Sequence, residues 1–256
     1  MLALAIAGIS VTAYATHSWN NYHWARTSSS FALQTLNSTV NGGTNANWPV
    51  LLSAAASQWS QSTSLDLALT PYDNSANGRK RCSAVAGKIR VCNAAYGKNG
   101  WLGLASINLD SNGHISKGTA KMNDSYASYY ASDANEAPHV MCQEVGHTFG
   151  LGHTSEDGST QNTCMDYSSS PTSTAPNKHD YDELGIIYGH TDSYNSYSTS
   201  AAVFSPSQNS MAGEVPLGVL VRRGHFSETW AAPDSKGGMW ITHLTLAPGS
   251  EHLDVQ

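Results

Sequence analysis

The chain has 256 residues, which is enough for one large domain or two small ones. Only 12% of its residues are charged and its formal net charge is −6, so a nucleic-acid backbone is not the expected partner. Two basic runs, Arg79–Arg81 and Arg222–Arg223, are too short to change that expectation.

The N-terminus predicts export from the cell. Leu2–Ala13 is apolar but too short to cross a bilayer as a stable helix. Ala13-Tyr14-Ala15 fits the small-x-small pattern of signal-peptide cleavage, so residues 1–15 are interpreted as a signal peptide and the protein as secreted. This region has no Lys or Arg before its apolar run, which leaves a buried N-terminal strand or helix as the alternative. No later stretch is long and apolar enough for a membrane helix.

Alternating apolar residues and turn residues divide the next part of the chain into short elements. Pro49–Ser60 has apolar residues at helical spacing and Pro in its first turn, so it is predicted to be a helix. A turn at Asp110–Gly113 separates two predicted strands, "GWLGLASINLD" and "HISKGTAKMND". The other predicted strands are "YHWART", "SSFALQTL" and Leu65–Thr70.

Four cysteines follow the predicted cleavage site, and an even number in an exported chain indicates two disulfides. Three pairings are possible. Cys82 and Cys92 flank "SAVAGKIRV", which is typical of a turn at Gly87 between two short strands, so a bond across that hairpin is expected. This bond leaves Cys142 to pair with Cys164.

The segment "VMCQEVGHTFGLGH" carries the residues with the clearest chemistry. Gln143 and His147 are four apart in a predicted helix, so their side chains point the same way, and Glu144 lies beside them. Gly150 permits a sharp turn with positive φ, which can bring His153 back toward the other two. Three protein ligands that leave one position for water, with a carboxylate next to the first ligand, are typical of a catalytic zinc site. Glu144 is then the predicted general base.

The same helix is predicted to span about Pro138–Phe149, with Asn135 or Asp133 as its cap. Its other face carries an apolar stripe that should pack into the core: Met141, Val145 and Phe149.

The C-terminal part of the chain is less regular. Residues 154–178 have a loop composition, and "NKHDYDELGIIYG" is predicted to be an amphipathic helix that ends at Gly189. Residues 191–210 are rich in Ser, Tyr and Asn and are interpreted as a linker or an extended surface segment. Within residues 211–256, "GVLVRR" and "MWITHLTLA" are predicted to form a small β-rich appendage.

These residues resemble the metzincin clan of zinc metalloproteases, whose pattern is His-Glu-x-x-His-x-x-Gly-x-x-His followed by a Met-turn. In "NTCMDY", Met165 is similar to the Met-turn methionine, which forms an apolar floor under the metal. Tyr167 is similar to a tyrosine that reaches the zinc or steadies the tetrahedral intermediate in some metzincins, and its alternative is a packing aromatic. The resemblance implies an α+β fold for residues 16–190, with a twisted mixed β-sheet, an active-site helix and a C-terminal helix.

The resemblance also has implications for substrate and cofactors. "GWLGLASI" is similar to the edge strand along which metzincins bind an extended peptide in antiparallel register. The implied cofactor is Zn²⁺, and a monomer is expected. Asp110, Asp124 and Asp133 lie in turn-like contexts where some metzincins bind Ca²⁺, although such aspartates are more often plain turn residues.

Gln143 stands where the family pattern has its first histidine. Its side-chain oxygen reaches about as far as a histidine Nε2 and is also neutral, so looser zinc binding is expected and not its loss. His139 lies about 12 Å along the helix axis from His147, too far to share one zinc. Cys142 points about 100° away from Gln143. Gln143, His147 and His153 are therefore the predicted ligands.

Three functions follow from these interpretations. The first is a secreted zinc endopeptidase. The second is a pseudoprotease that acts as a secreted binding module, and the retained Glu144 argues against it because a binder needs no general base. The third is a structural cell-surface protein, which predicts that no metal binds.

Overall fold

The computed structural model describes residues 17–200 and 218–251, so the predicted signal peptide and residues 201–217 and 252–256 lie outside the described residues. The strands are β1 (Phe31–Ser38), β2 (Leu65–Pro71), β3 (Ile89–Ala94), β4 (Trp101–Leu109), β5 (Ile115–Asn123), β6 (Val219–Arg223), β7 (Ser227–Pro233) and β8 (Met239–Leu246). The α-helices are α1 (Trp48–Trp59), α2 (Ala76–Arg81), α3 (Ala127–Ser132), α4 (Glu136–His147) and α5 (Lys178–Ile187). The molecule is therefore an α+β protein, as the sequence predicts.

One mixed sheet of eight strands has the order β2-β1-β3-β5-β4-β8-β7-β6. The pairs on the β2 side are parallel up to β5, and every pair from β5 to β6 is antiparallel. The β-rich tail thus forms, but β8 pairs with β4 and makes the tail part of the same sheet.

The pairing of β8 corrects the prediction for "GWLGLASI". That sequence lies in β4, which is hydrogen-bonded on one side to β5 and on the other side to β8. Strand β4 is therefore an interior strand and not an edge strand. The edges of the described sheet are β2 and β6.

Several predicted elements are confirmed by the structure. Helix α1 has Pro in its first turn, and β4 and β5 form an antiparallel hairpin. Helix α4 starts at Glu136, two residues earlier than expected, after Asn135 as its N-cap. Helix α5 begins with a capping box of Asn177 and Asp180, and it ends before Gly189.

The predicted hairpin around Gly87 is wrong. Helix α2 ends at Arg81 and is capped by Cys82 in a left-handed conformation with φ of 46°, and the residues between Cys82 and the turn form no strand. Only β3 follows the turn, and it pairs in parallel with β1 and β5. The "YHWART" strand is also wrong, because its only ladder contact among the described residues is a single bridge from Trp24 to Ile115. Its backbone bonds instead to the segment after α5, for example from Ser196 N–H to Ala25 O at 3.0 Å.

The core between α1, α4 and the sheet positions the functional helix. The predicted stripe of α4 is fully buried, with Met141, Val145 and Phe149 each 0% exposed. The Trp59 indole of α1 packs on the Phe149 ring and donates its N–H to Cys142 O at 3.1 Å. Each such side chain contributes about 1.5–3 kcal/mol on burial, so α4 is firmly held. Among the described residues, no helix has the length and apolar character to cross a membrane.

Candidate metal centre

Helix α4 lies unusually close to the loop that carries Met165. A Cβ atom on Gly146 would lie 2.7 Å from the Met165 sulfur, so glycine is needed for this approach. Met165 is fully buried, and its carbonyl accepts the N–H of Thr154 at 2.8 Å. The methionine thus contacts the helix that carries His147 and also the residue after His153, consistent with its predicted place beneath the centre.

Gly150 makes the turn that returns the chain to the centre. Its φ is +103°, and a Cβ atom there would lie 1.9 Å from the carbonyl oxygen of Tyr22. A side chain is excluded both by the backbone conformation and by the close approach. The turn places the ring of His153 4.7 Å from the ring of His147, as the sequence predicts.

A third imidazole completes a cluster that the sequence did not predict. His243 of β8 lies with its ring centroid 4.3 Å from that of His147 and 4.6 Å from that of His153. One nitrogen from each of the three rings lies within 4.8 Å of the others. Such a group of three imidazoles is a common donor set for zinc.

Hydrogen bonds fix how His147 presents its nitrogens. Its Nδ1 lies 2.7 Å from Leu151 O, which can only accept, so Nδ1 carries the proton. Its Nε2 is buried without a hydrogen-bond partner among the described residues, and the same is true of Nδ1 of His243. A buried nitrogen lone pair without a donor is costly unless it binds a cation. This observation supports a metal at the centre.

Burial keeps the three rings neutral. It lowers the pKa of His147 and of His243 to about 3, and the neighbouring imidazoles add to the effect at His147. Burial and the two neighbouring histidines also lower the pKa of His153. Neutral imidazole is the form that binds metal, so these environments favour metal over protons at neutral pH.

The amide of Gln143 is held by hydrogen bonds at both ends. Its nitrogen donates to Asp166 O at 2.7 Å and lies 3.3 Å from Nε2 of His139. Its oxygen accepts the hydroxyl of Thr245, another β8 residue, at 2.8 Å. The structure therefore brings His147 and His153 together as predicted and adds His243, while the oxygen of Gln143 is bound to Thr245.

Glu144 is completely buried beside these residues. Its Oε1 lies 2.7 Å from the hydroxyl of Thr245, and its Oε2 lies 3.9 Å from Nδ1 of His243. Burial raises the pKa of Glu144 to about 7, which is suited to taking and returning a proton near neutral pH. On its other side the carboxylate packs on β4 at Gly103, where a Cβ atom would lie 2.4 Å from Oε1.

Tyr167 lies over the imidazoles. Its hydroxyl is 2.9 Å from Nε2 of His153 and 3.1 Å from Nε2 of His243. Burial raises the pKa of its phenol, so the group stays protonated and can donate a hydrogen bond. The hydroxyl thus lies within hydrogen-bond distance of two imidazoles of the cluster, and a role of Tyr167 in catalysis stays a prediction.

Residues of β8 line two cavities near the centre. One, of about 250 Å³, is lined by all three imidazoles, and its rim includes the ion pair of Arg222 with Glu156 at 3.1 Å. The other, of about 200 Å³, lies next to Thr245 and Tyr167. His243 thus faces one cavity and Thr245 the other.

Both predicted disulfides are present in the structure. Cys82 pairs with Cys92 and Cys142 pairs with Cys164, each with Cα atoms 5.9 Å apart. The second bond ties α4 to the loop that contains Met165, as expected. Disulfides are typical of proteins in oxidising compartments, so these two bonds are compatible with secretion.

The aspartates considered for calcium are engaged with their own neighbours. Asp124 accepts hydrogen bonds from the Trp48 indole and the Asn93 amide, both at 2.7 Å. Asp133 accepts the N–H of Asn135 at 2.8 Å, and Asp110 accepts that of His114 at 3.0 Å. Calcium binding therefore stays a prediction.

Sequence reasoning missed His243 and Thr245, although one signal was present. In "MWITHLTLA" the two residues are two positions apart, so they share one face of a strand. What the sequence did not show is that β8 pairs with β4, across more than a hundred residues of chain.

No protein-family model matches this chain, and no curated protein matches it either. The resemblance to metzincins therefore rests on the sequence motif and stays a prediction.

Proposed function

We propose that this protein is a secreted zinc-dependent endopeptidase and that the form described here is its closed form. The observation that carries the proposal is the convergence of His147, His153 and His243 beside the buried carboxylate of Glu144. Histidine nitrogens without hydrogen-bond donors, next to a carboxylate whose pKa is about 7, are more characteristic of hydrolytic chemistry than of structural packing.

In the closed form, the residues that would hold zinc are His147, His153 and His243. Zinc bound there would supply a Lewis acid that polarises a carbonyl group and acidifies water. Glu144 takes a proton from the attacking water and delivers it to the leaving amine. Tyr167 donates its hydroxyl hydrogen toward the negative charge that develops on the carbonyl oxygen.

Strand β8 occupies the side of β4 that an extended peptide would use. It runs antiparallel to β4, with Ala105 opposite His243, and so makes the main-chain bonds that a bound peptide would make. The hydroxyl of Thr245 lies within hydrogen-bond distance of oxygens of both Gln143 and Glu144, at 2.8 and 2.7 Å, and its one hydrogen can go to either. Access for a substrate therefore requires that β8 moves away.

When β8 leaves, Gln143 becomes available to the metal. Its oxygen loses the Thr245 hydroxyl, while its nitrogen keeps the bond to Asp166 O that orients the amide. We propose that Gln143 then joins His147 and His153 as the third ligand of the open form. A neutral amide in place of a neutral imidazole keeps the charge of the site and weakens the affinity.

The double variant His243→Ala/Thr245→Val tests this proposal because it removes both contacts that hold the centre closed. We expect it to cleave casein about tenfold or more faster than the native chain at saturating zinc. A loss of about 1.4 kcal/mol from the free energy that favours the closed form makes the population of the open form tenfold larger. The matched control is Thr242→Val, which removes a hydroxyl on the other face of β8 that bonds to Ser106 at 2.9 Å. The control should cleave like the native chain.

The pseudoprotease interpretation predicts a different outcome. It is supported by the burial of Gln143 and Glu144 under Thr245, because a binding module has no need to expose them. If the double variant folds and binds zinc but does not cleave casein or gelatin, the endopeptidase proposal fails and the binding module is preferred. Loss of zinc from the double variant would instead overturn the proposed role of Gln143.

A further inference from the structure

A second group of histidines shares no residue with the candidate metal centre. His23 lies in the segment before β1, His114 immediately precedes β5, and His190 and Asp192 follow α5. Three segments that are distant in sequence therefore meet at this point. The side chains of His23, His114 and Asp192 are 10–18% exposed, and that of His190 is 53% exposed.

The nitrogens of this group surround one carboxylate oxygen. Asp192 Oδ1 lies 3.6 Å from Nε2 of His23, 3.4 Å from Nε2 of His114 and 3.6 Å from Nε2 of His190. The Nε2 atoms of His23 and His190 are 3.2 Å apart. Ligands of a tetrahedral zinc with bonds of about 2.0–2.2 Å are about 3.3–3.6 Å from one another. His23, His114 and Asp192 each offer a ligand atom within 4.8 Å of the other two, so these three residues could hold one ion, whereas His190 lies beside them and is not part of that group.

The proton on His23 is placed by its neighbour. Its Nδ1 lies 2.8 Å from Asn21 O, and a carbonyl can only accept, so Nδ1 carries the hydrogen. Nε2 is therefore the nitrogen of His23 that can bind a metal, and it lies 3.6 Å from Asp192 Oδ1.

The same reasoning applies to His114. Its Nδ1 is 2.7 Å from the hydroxyl of Tyr194, which gives its own hydrogen to a carboxylate oxygen of Asp110. Tyr194 must then accept from Nδ1, and Nε2 is likewise the nitrogen of His114 that can bind a metal. A carboxylate that orients a metal-binding imidazole through an intermediate group is a common arrangement around metal ligands.

Asp192 directs one oxygen toward the histidines. Its Oδ2 accepts the backbone N–H of Arg26 at 2.9 Å, and its own N–H bonds to Arg26 O at 2.7 Å. The carboxylate is thus fixed, and Oδ1 faces the three imidazoles. If both nitrogens carry lone pairs, they repel the anionic oxygen unless a cation lies between them.

We propose that His23, His114 and Asp192 form a second, structural zinc site. Two imidazoles and one carboxylate suit zinc, whereas calcium prefers oxygen ligands throughout. The ion would join the segment before β1, the β4–β5 turn and the segment after α5. Its removal should loosen the segment that runs from His23 back to Trp19, whose ring contacts His147 at a centroid distance of 5.5 Å.

Metal counting on the full chain tests the second site independently of the first. The native protein and the variant His114→Gln/His190→Gln are saturated with zinc, passed over a desalting column and analysed by mass spectrometry. We expect the variant to hold one equivalent less than the native protein, whatever the candidate metal centre binds. His225→Gln, the same substitution at a histidine outside both groups, should hold as much as the native protein.

A milder variant guards against misfolding. Tyr194→Phe keeps all three ligands and should fold normally, but it should weaken zinc at this site about tenfold or more, because it removes the acceptor that orients His114. Equal zinc content in native protein and in the double variant would overturn the proposal and indicate that protons, not a metal, hold the group together.

Discussion

Replacement of Gly150 by alanine tests whether the turn after α4 positions the centre. The new methyl group would be placed 1.9 Å from Tyr22 O, in a backbone conformation with φ of +103°. The backbone of one of the two segments must shift, and His153 lies only three residues beyond. We therefore expect Gly150→Ala to lower both stability and zinc affinity.

A matched glycine separates the cost of the backbone conformation from the cost of the close approach to Tyr22. Gly97 has φ of +97°, but a Cβ atom there would meet nothing within 4 Å. Gly97→Ala should therefore lose only the free energy of placing alanine in a left-handed conformation, about 1–2 kcal/mol. This loss is partly offset by about 0.4–1 kcal/mol, because alanine reduces the conformational entropy of the unfolded chain. Gly150→Ala adds an overpacking cost of about 1–3 kcal/mol. The totals are about 1 kcal/mol for Gly97→Ala and about 2–4 kcal/mol for Gly150→Ala.

Thermal unfolding followed by circular dichroism measures both variants. For a chain of this size 1 kcal/mol shifts Tm by about 2–4 °C, so Gly150→Ala should melt on the order of 10 °C below the native protein. Gly97→Ala should melt only a few degrees below it and keep native zinc content. Equal melting temperatures for the two variants would show that the close approach to Tyr22 does not exist.

Three further predictions concern other parts of the molecule. Burial raises the pKa of Glu136 from 4.5 to about 7, so the free energy of unfolding of the native chain falls as pH rises through this window. In urea unfolding, Glu136→Gln should be more stable than the native chain by about 3 kcal/mol near pH 9 and equally stable near pH 4. Replacement of Cys142 and Cys164 by alanine should cost about 3 kcal/mol in urea unfolding and weaken zinc binding, and unchanged zinc affinity would argue against a role of this bond in the centre. Thr245→Val alone should speed casein cleavage less than the double variant does, and no change would mean that its contact with Glu144 does not restrain the closed form.

Local patterns in the sequence predicted the elements that carry the motif. The stripe of Met141, Val145 and Phe149 correctly predicted buried side chains, because helical spacing is visible within a dozen residues, but it did not show that nearly every residue of α4 is buried. The turn at Gly150 was predictable because only glycine suits its conformation.

Features that depend on long-range pairing were not predictable. Alternation identified β8 as a strand, but alternation does not say which strand it pairs with, and so His243 was not placed at the centre. The hairpin at Gly87 failed for a related reason. Helix α2 ends just before Cys82, the residues from Cys82 to the turn form no strand, and the parallel partners of β3 come from distant segments.

The most direct test of the central claim is the cleavage rate of casein by zinc-loaded protein in the His243→Ala/Thr245→Val background, with and without Glu144→Gln. The added substitution keeps the shape of the side chain and removes its ability to take a proton. We expect equal zinc content in the two proteins and a casein cleavage rate about 10²–10⁴-fold lower when Glu144 is replaced. Equal rates in the two proteins would contradict the central claim.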